Sequence, residues 1–421
     1  AQYRYEKPCF SFMNGKLGQL QTLKRFLVTA GEKYEIEIDA IFRLAPLRTF
    51  MARDCKVDLF FFFVPHRHVY GQDWIDFINE GPDETVTFPA SAVAADDVGY
   101  VGTPTRTGAL PLHLCAGYAK IWNRYFKSPN DSSSTMSETA FLQTDEKRLT
   151  GNDCARLPTI WTSGIEGNLT DADREVAVSG GAFDIVDLQR TQAQYWRKSD
   201  REWYGQFYDD VLRTTFGGGA STDADERPTV LYRNSAWLSG YDVDGTSGDS
   251  LGDFAGKSFG RMRCKMPRRH FGEHGTIWVM ALLRFPTIHT LESHYLDLLN
   301  NPSYLQIGGD AALIEAEPPA DMDADEFFAG GGANSLGTFP SHQWHRYEPS
   351  VVSVQLQQQG IYPFLNTVPS SFETAFYSTG NEYNNVFKSL VYQHWLVQCA
   401  LYCTTDTHIP GPKTSIYAGV R

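Results

Sequence analysis

Lys56-Val57-Asp58-Leu59-Phe60-Phe61-Phe62-Phe63-Val64, closed by Pro65, is the stretch that decides the fold. Its apolar run includes four consecutive Phe and is too short for a buried helix. It reads as a β-strand buried on both faces, ended by a proline that cannot donate to a ladder. Upstream, Tyr34-Glu35-Ile36-Glu37-Ile38-Asp39-Ala40-Ile41-Phe42-Arg43 alternates apolar residues with acids until the pattern breaks near Ile41. That period of two marks a strand with one face in a core. Further strands are expected at 229–233, at 275–285 and at 387–403. In the last, Phe387, Val391, Trp395, Val397, Cys399, Leu401 and Cys403 share one face. Helices are expected over 73–79, over 113–126 and over 188–216. The third of these carries Tyr195, Trp196, Trp203, Phe207, Val211 and Leu212 at helical spacing and stops at Gly217-Gly218-Gly219.

Composition agrees with a strand-rich chain. Of 421 residues, 14% are aromatic, with 36 Gly and 21 Pro, which favours strands and long turns over helical bundles. Hydrophobic residues at 42% and charged residues at 21% are ordinary for a globular protein. No run of about 18 apolar residues exists to span a membrane as a helix. The first residues, Ala1 to Lys7, have no apolar signal region, and Ala1 suits a trimmed initiator Met and equally an end left by processing. Seven Cys at scattered spacing read as reduced thiols, not as a disulfide framework. A net charge of −13 argues against a general nucleic-acid binder but says nothing of one local face. Loops of about 60 residues separate the strand regions and carry function more often than packing. One barrel or sandwich with large insertions fits better than two independent domains.

Five clusters could carry chemistry. His66-Arg67-His68 follows a strand, and residues two apart share a strand face, so two imidazoles could grip one metal as in the cupin enzymes. No acid follows at the cupin spacing, and strand-end capping is the plainer account. Asp242, Asp244 and Asp249 offer hard oxygens for a divalent cation such as calcium, but the glycine falls outside the EF-hand position, and a plain turn would look the same. Cys399 and Cys403 share a strand face with His408 beyond them, which fits buried thiols better than zinc. Arg261, Arg263, Lys265, Arg268 and Arg269 place five cations within nine residues of an acidic chain. Such cations repel unless anions are near, so they point to a phosphate backbone, an acidic partner surface, or local ion pairs. Trp196-Arg197-Lys198 interleaves bases with aromatics, a combination that suits stacking on single-stranded bases or simple helix packing.

Several segments together resemble the major capsid protein of the Microviridae, small icosahedral bacteriophages with single-stranded DNA. They are Leu44-Ala45-Pro46-Leu47-Arg48, Val57-Asp58-Leu59-Phe60, and Val64-Pro65-His66-Arg67-His68-Val69-Tyr70-Gly71. Tyr125-Phe126-Lys127-Ser128-Pro129, Phe216-Gly217-Gly218 and Trp237 through Thr246 follow. Glu273-His274-Gly275-Thr276, Leu283-Arg284-Phe285-Pro286 and Gln343-Trp344-His345-Arg346-Tyr347 close the series. Loops 82–112, 130–190 and 302–340, the first 30 residues and the last 20 match poorly.

The resemblance implies a mainly β fold, an eight-stranded antiparallel jelly-roll barrel with long loop and short helix insertions. Residues 1–421 would form one capsid domain, with core strands near 34–64, 229–285 and 386–404 and insertions at about 80–225 and 286–345. It implies a structural protein and not an enzyme, with no resident cofactor. About sixty copies would form a T=1 icosahedral shell around a circular single-stranded DNA genome. Implied partners are further copies of the chain, a major spike protein, an internal scaffolding protein and a small basic DNA-packaging protein, with no membrane. Its place would be the virion, assembled in the host bacterial cytoplasm. Pro65, His66, Arg67, His68, Tyr70 and Gly71 would then be structural. The rival is a cupin-type metal-dependent enzyme using His66 and His68, and a plainer third option is a carbohydrate-binding jelly roll.

Overall fold

The computed structural model describes residues 3–48, 54–80, 88, 90–93, 108–111, 113, 116–127, 189–190, 192–193, 227–244, 254–285, 320–323, 335–339, 381–390 and 393–408. Eight long strands build one sheet. They are β1 (Tyr3–Gly15), β2 (Leu20–Val28), β3 (Lys33–Leu44), β4 (Cys55–Pro65), β7 (Thr229–Asp244), β8 (Phe254–His270), β9 (Gly275–Arg284) and β12 (Trp395–Thr407). Two small hairpins, β5 (Ala90–Val93) with β6 (Gly108–Pro111) and β10 (Ala320–Asp323) with β11 (Ser335–Phe339), lie in the intervening segments. Short helices α1 (His66–Tyr70), α2 (Gln72–Glu80) and α3 (Ala116–Ile121) follow β4 and β6.

Pairing is nested. β1 pairs β12, β2 pairs β9, β3 pairs β8 and β4 pairs β7, all antiparallel. The chain is thus one long hairpin whose tip lies between β4 and β7. Rolling that hairpin adds the β12–β3 and β4–β9 ladders and gives the order β1-β12-β3-β8-β7-β4-β9-β2. This is the jelly-roll arrangement. β7 serves both halves, pairing β4 up to Leu238 and β8 from Ser239 onward. The end strands β1 and β2 meet where the Ser11 hydroxyl donates to the Leu23 carbonyl at 2.8 Å, which nearly closes the barrel.

The two halves differ on their outer faces. Along β3, Tyr34, Ile36, Ile38, Ala40 and Phe42 enter the core while Glu35, Glu37 and Asp39 face out. β4 is buried throughout except half-buried Lys56, as the Phe run predicts. Val57, Leu59, Phe61 and Phe63 fill the barrel, while Phe60 and Phe62 point away from it. Their cover is α3 and the π-turn after it (Trp122–Phe126), closed by Lys127 N–H on the Trp122 carbonyl at 3.0 Å. Phe126 meets Phe60 edge-on at 5.4 Å, and Tyr125 meets Phe62 at 5.0 Å. The β7-β4-β9-β2 face is therefore capped by an insertion. The β1-β12-β3-β8 face is a surface of charges and rings.

Three expectations change. The strand expected from Phe387 begins only at Trp395. Before it, Ala45 N–H donates to His394 O, Lys388 N–H to Pro46 O and Arg48 N–H to Val386 O, each at 2.8 Å. These tertiary bonds to the β3–β4 connection satisfy the backbone that a ladder would have used. β1 and β2, unforeseen in the sequence, are the barrel's first two strands. Asp242 and Asp244, expected in a loop, end strand β7, and Asp249 lies outside the described residues. The helix over 73–79 is α2, and 113–126 becomes α3 with its π-turn. Of the helix expected over 188–216, only the helical residues 189–190 and 192–193 are described.

Candidate functional site

The open face of the β1-β12-β3-β8 sheet collects the basic run. Met262, Cys264 and Met266 point into the core, so by alternation Arg261, Arg263 and Lys265 point out, as expected from the sequence. Each reaches diagonally to an acid on β3. Arg261 Nε donates to Asp39 at 2.7 Å, Arg263 Nε to Glu37 at 2.8 Å, and Lys265 Nζ lies 2.5 Å from Glu35. The Arg261 guanidinium holds the Asp39 carboxyl below its ordinary range. Arg4 pairs with Asp406 at 3.0 Å, and Arg268 pairs with the same carboxylate. The anions that keep this cluster together are therefore the chain's own, and the cations form the outer layer. Their side chains are 56–70% exposed, against 22–30% for the three acids. Arg269 is exposed at the end of β8, and Arg197 and Lys198 lie outside the described residues.

Aromatic rings share this face. Phe10 and Phe12 on β1 lie opposite Ala400 and Gln398, in register with outward-facing Tyr402. Phe259 has the parity of Arg261 on β8. All four are exposed by more than half.

The His-x-His motif behaves differently from its strand-face expectation. His66–Tyr70 is the short helix α1, directly after Pro65, so His66 and His68 do not share a strand face. The reason lies in a local clamp on the β8–β9 turn. His66 N–H donates to the His274 carbonyl at 2.9 Å, and Arg67 forms a fork on Glu273 at 3.1 and 3.3 Å. The His66 ring packs 4.7 Å from His113 and 4.7 Å from the Trp74 ring, with Nε2 3.3 Å from the Thr276 hydroxyl. Tyr70 Oη sits 2.7 Å from His113 Nδ1. Gly71 ends α1 at φ +61° and ψ −131°, a conformation open to glycine alone. No group of three His, Cys, Asp or Glu among the described residues is placed to hold a metal. Cys399 and Cys403 are buried in the core, where burial pushes the Cys399 thiol up to about 12.

Three imidazoles, buried His66 and His394 and half-buried His113, are held neutral. Burial first, then the neighbouring His113 and His274, lowers His66 to about 3. Burial lowers His113 and His394 to about 4, helped by Arg25 and Lys16 respectively. His394 accepts from Leu17 N–H at Nδ1, 3.0 Å, and its Nε2 lies 2.8 Å from Asn384 Oδ1, which fixes one tautomer. The unfolded chain takes up these protons near pH 6.5 and the folded chain does not. Stability is therefore present in full above pH 6.5 and falls as the pH drops toward 4, by up to about 1.4 kcal/mol per pH unit for each imidazole. Urea midpoints at pH 7.0, 5.5 and 4.5 should decline in that order. A constant midpoint would remove these histidines from the stability account.

The decisive finding is a family match over nearly the whole chain. The family model described as capsid protein (F protein) matches residues 2–183 and 177–417. The chain belongs to the capsid protein F family. It is 35% identical over 416 residues to capsid protein F of Enterobacteria phage phiK. It is 33% identical over 408 residues to capsid protein F of Escherichia phage G4, and 33% identical over 416 residues to that of Escherichia phage alpha3. Each match covers 96% of this chain and 95% of the relative. The Microviridae resemblance read from the sequence is thus correct. The protein is a structural capsid protein of a phage. His66 and Arg67, within the segment read in the sequence as a candidate metal grip, bind the end of β4 to the β8–β9 turn.

Proposed function

We propose that this capsid protein F is the major shell protein of a small single-stranded DNA phage. About sixty copies assemble with T=1 icosahedral symmetry around a circular genome and carry spike proteins outside. An internal scaffolding protein guides assembly in the bacterial cytoplasm, and a small basic packaging protein accompanies the DNA. The chain performs no catalysis. What carries the reading is the near full-length family match on a complete jelly roll.

Two physical features support it. The monomer leaves large apolar side chains in water, among them Leu27 at 60%, Trp237 at 56% and Phe10 at 66% exposure. Exposed apolar surface of this kind is what repeated weak contacts bury in a shell. The charge balance also fits a division of labour. About sixty chains at −13 each bring roughly −780, which cannot neutralise a genome, so bulk neutralisation falls to a separate basic partner and to cations. The divalent-cation expectation for Asp242, Asp244 and Asp249 belongs to this reading as an ion at a subunit contact.

The test is to make the chain together with its phage's other structural proteins and to examine the product by sedimentation and negative stain. Closed particles roughly 25–30 nm across are expected for about sixty such barrels. A product that stays monomeric or dimeric under these conditions contradicts the proposal.

A further inference from the structure

The chain's charge is unevenly spread. The insertion 286–345 holds nine Asp and Glu and no Lys or Arg, so it carries −9 of the total −13 and leaves −4 for the rest. Six of those acids, Glu315, Glu317, Asp321, Asp323, Asp325 and Glu326, fall within twelve residues around strand β10. Repeated copies of so acidic a segment repel one another unless cations meet them. The open sheet face has few to spare, because Arg261, Arg263 and Lys265 each hold an acid of β3. The other half of the barrel has a surplus. Its register sets Arg284, Lys56 and Trp237 in one row across β9, β4 and β7, with Phe60 and Arg233 two rows on. Lys56, Arg233 and Arg284 converge on the one carboxylate of Asp58, a local balance of +2, and among the described residues they meet no other acid. Arg284 Nε is buried there without a hydrogen-bond partner among the described residues. Each of the two outer cations lies over a ring. Lys56 Nζ is 5.9 Å from the Trp237 ring centre, and the Arg233 guanidinium is 5.2 Å from that of Phe60. The capping insertion covers Phe60, but Trp237 stays 56% exposed and the Arg233 side chain 54%.

We propose that Trp237, Lys56 and Arg233 form a subunit contact that receives the acidic segment 315–326 of a neighbouring copy of the chain. The proposal rests on the shell reading above and adds which two surfaces meet. A carboxylate from the neighbour takes the water-facing ends of Lys56 and Arg233. Asp58 is then left to Arg284, the cation that cannot reach water. The Trp237 indole beside them shields the new ion pairs from water, and that exclusion is what makes such pairs count at an interface. Trp and Arg are also the side chains that most often anchor protein contacts. Patch and segment are different parts of the chain, so the contact is heterologous and repeats head to tail around a closed ring. A nucleic-acid strand would also seek the cations, but the acidic segment is present once for every patch.

The test treats purified particles of the unmutated chain with a carbodiimide, which joins an amine to a carboxylate without a spacer. Peptide mass spectrometry of the gel bands should find Lys56 joined to an acid of 315–326, in bands of two or more chains. The same pair found only in the 47.3 kDa band would mean that the segment folds back on its own barrel, and the proposal falls. Lys56 joined to another segment or protein, or to nothing, overturns it as well. Charge reversal gives a second reading. Arg233→Glu and Asp321→Lys/Asp323→Lys should each cut the yield of particles about tenfold or more, and the combined variant should recover most of it, because a reversed patch then meets a reversed segment. Urea midpoints close to the parent's separate a lost contact from a lost fold. An Arg233→Glu yield equal to the parent's, or no recovery in the combined variant, contradicts the contact. Normal yield with less DNA in the particles would make the patch a nucleic-acid site, and the proposal falls. Wild-type particles in negative stain, scored first, show whether the shell reading has failed or only this contact.

Discussion

Replacing Asp58 by alanine is expected to cost about 3–5 kcal/mol and to leave too little folded protein for assembly. Asp58 is fully buried on the outward face of β4, amid the Phe run, with three cations around it. Arg284 on β9 approaches to 3.1 Å, Arg233 on β7 to 3.4 Å and Lys56 to 3.8 Å. Two of these reach water, since the Arg233 side chain is 54% exposed and Lys56 is 27% exposed. Arg284 is 14% exposed and cannot. Without Asp58 it becomes an uncompensated, largely buried charge on β9 beside β4. Removing both charges should therefore hurt less than removing one, because the net worth of a buried pair is small. Urea unfolding of Asp58→Ala and of Asp58→Ala/Arg284→Met checks this, with the double variant recovering most of the loss. A single variant within 1 kcal/mol of the parent would show that Asp58 is not needed to hold Arg284.

Trp278 carries the second large effect. It is fully buried on β9, on the face turned toward the insertion. The Arg25 guanidinium lies 5.3 Å over its ring. α3 comes so close that a Cβ on Gly117 would stand 2.6 Å from the indole nitrogen. Trp278→Ala empties that contact and should cost about 3–5 kcal/mol. Gly117→Ala approaches the same contact from the other side and should cost about 1–3 kcal/mol through overpacking. Hydrogen exchange locates the damage. In Trp278→Ala the amides of 116–126 should lose protection before those of β3 and β12. Uniform loss across the barrel would mean that Trp278 stabilises the core as a whole and does not dock the insertion.

The barrel was legible in the sequence where one face of a strand meets a core. The acid alternation of β3 and the Phe run of β4 announce one-sided and two-sided burial. β1 escaped because it is an edge strand, irregular in burial and rich in exposed residues such as Phe10 and Phe12, and its place is set by the β12 register. The segment before Trp395 imitated a strand because Val386 and Phe387 are buried, but its backbone bonds to the β3–β4 connection and not to a ladder. Arg261, Arg263 and Lys265 were legible as one outward face. Their partners were not, since Asp39, Glu37 and Glu35 lie more than 200 residues away and only the β3–β8 register brings them in reach. His66 and His68 were misplaced for a simpler reason. Spacing gives a strand face only if the strand continues, and here Pro65 hands the chain to α1.

The central claim is that this jelly roll is the repeated unit of a closed shell. Native mass measurement of the purified particle tests it most directly. With 47.3 kDa per chain, a shell of about sixty copies accounts for roughly 2.8 MDa of the particle, with a fixed ratio of this chain to every other component. A shell mass near that value confirms the account. A discrete particle built from a few copies of the chain, or none, would contradict it.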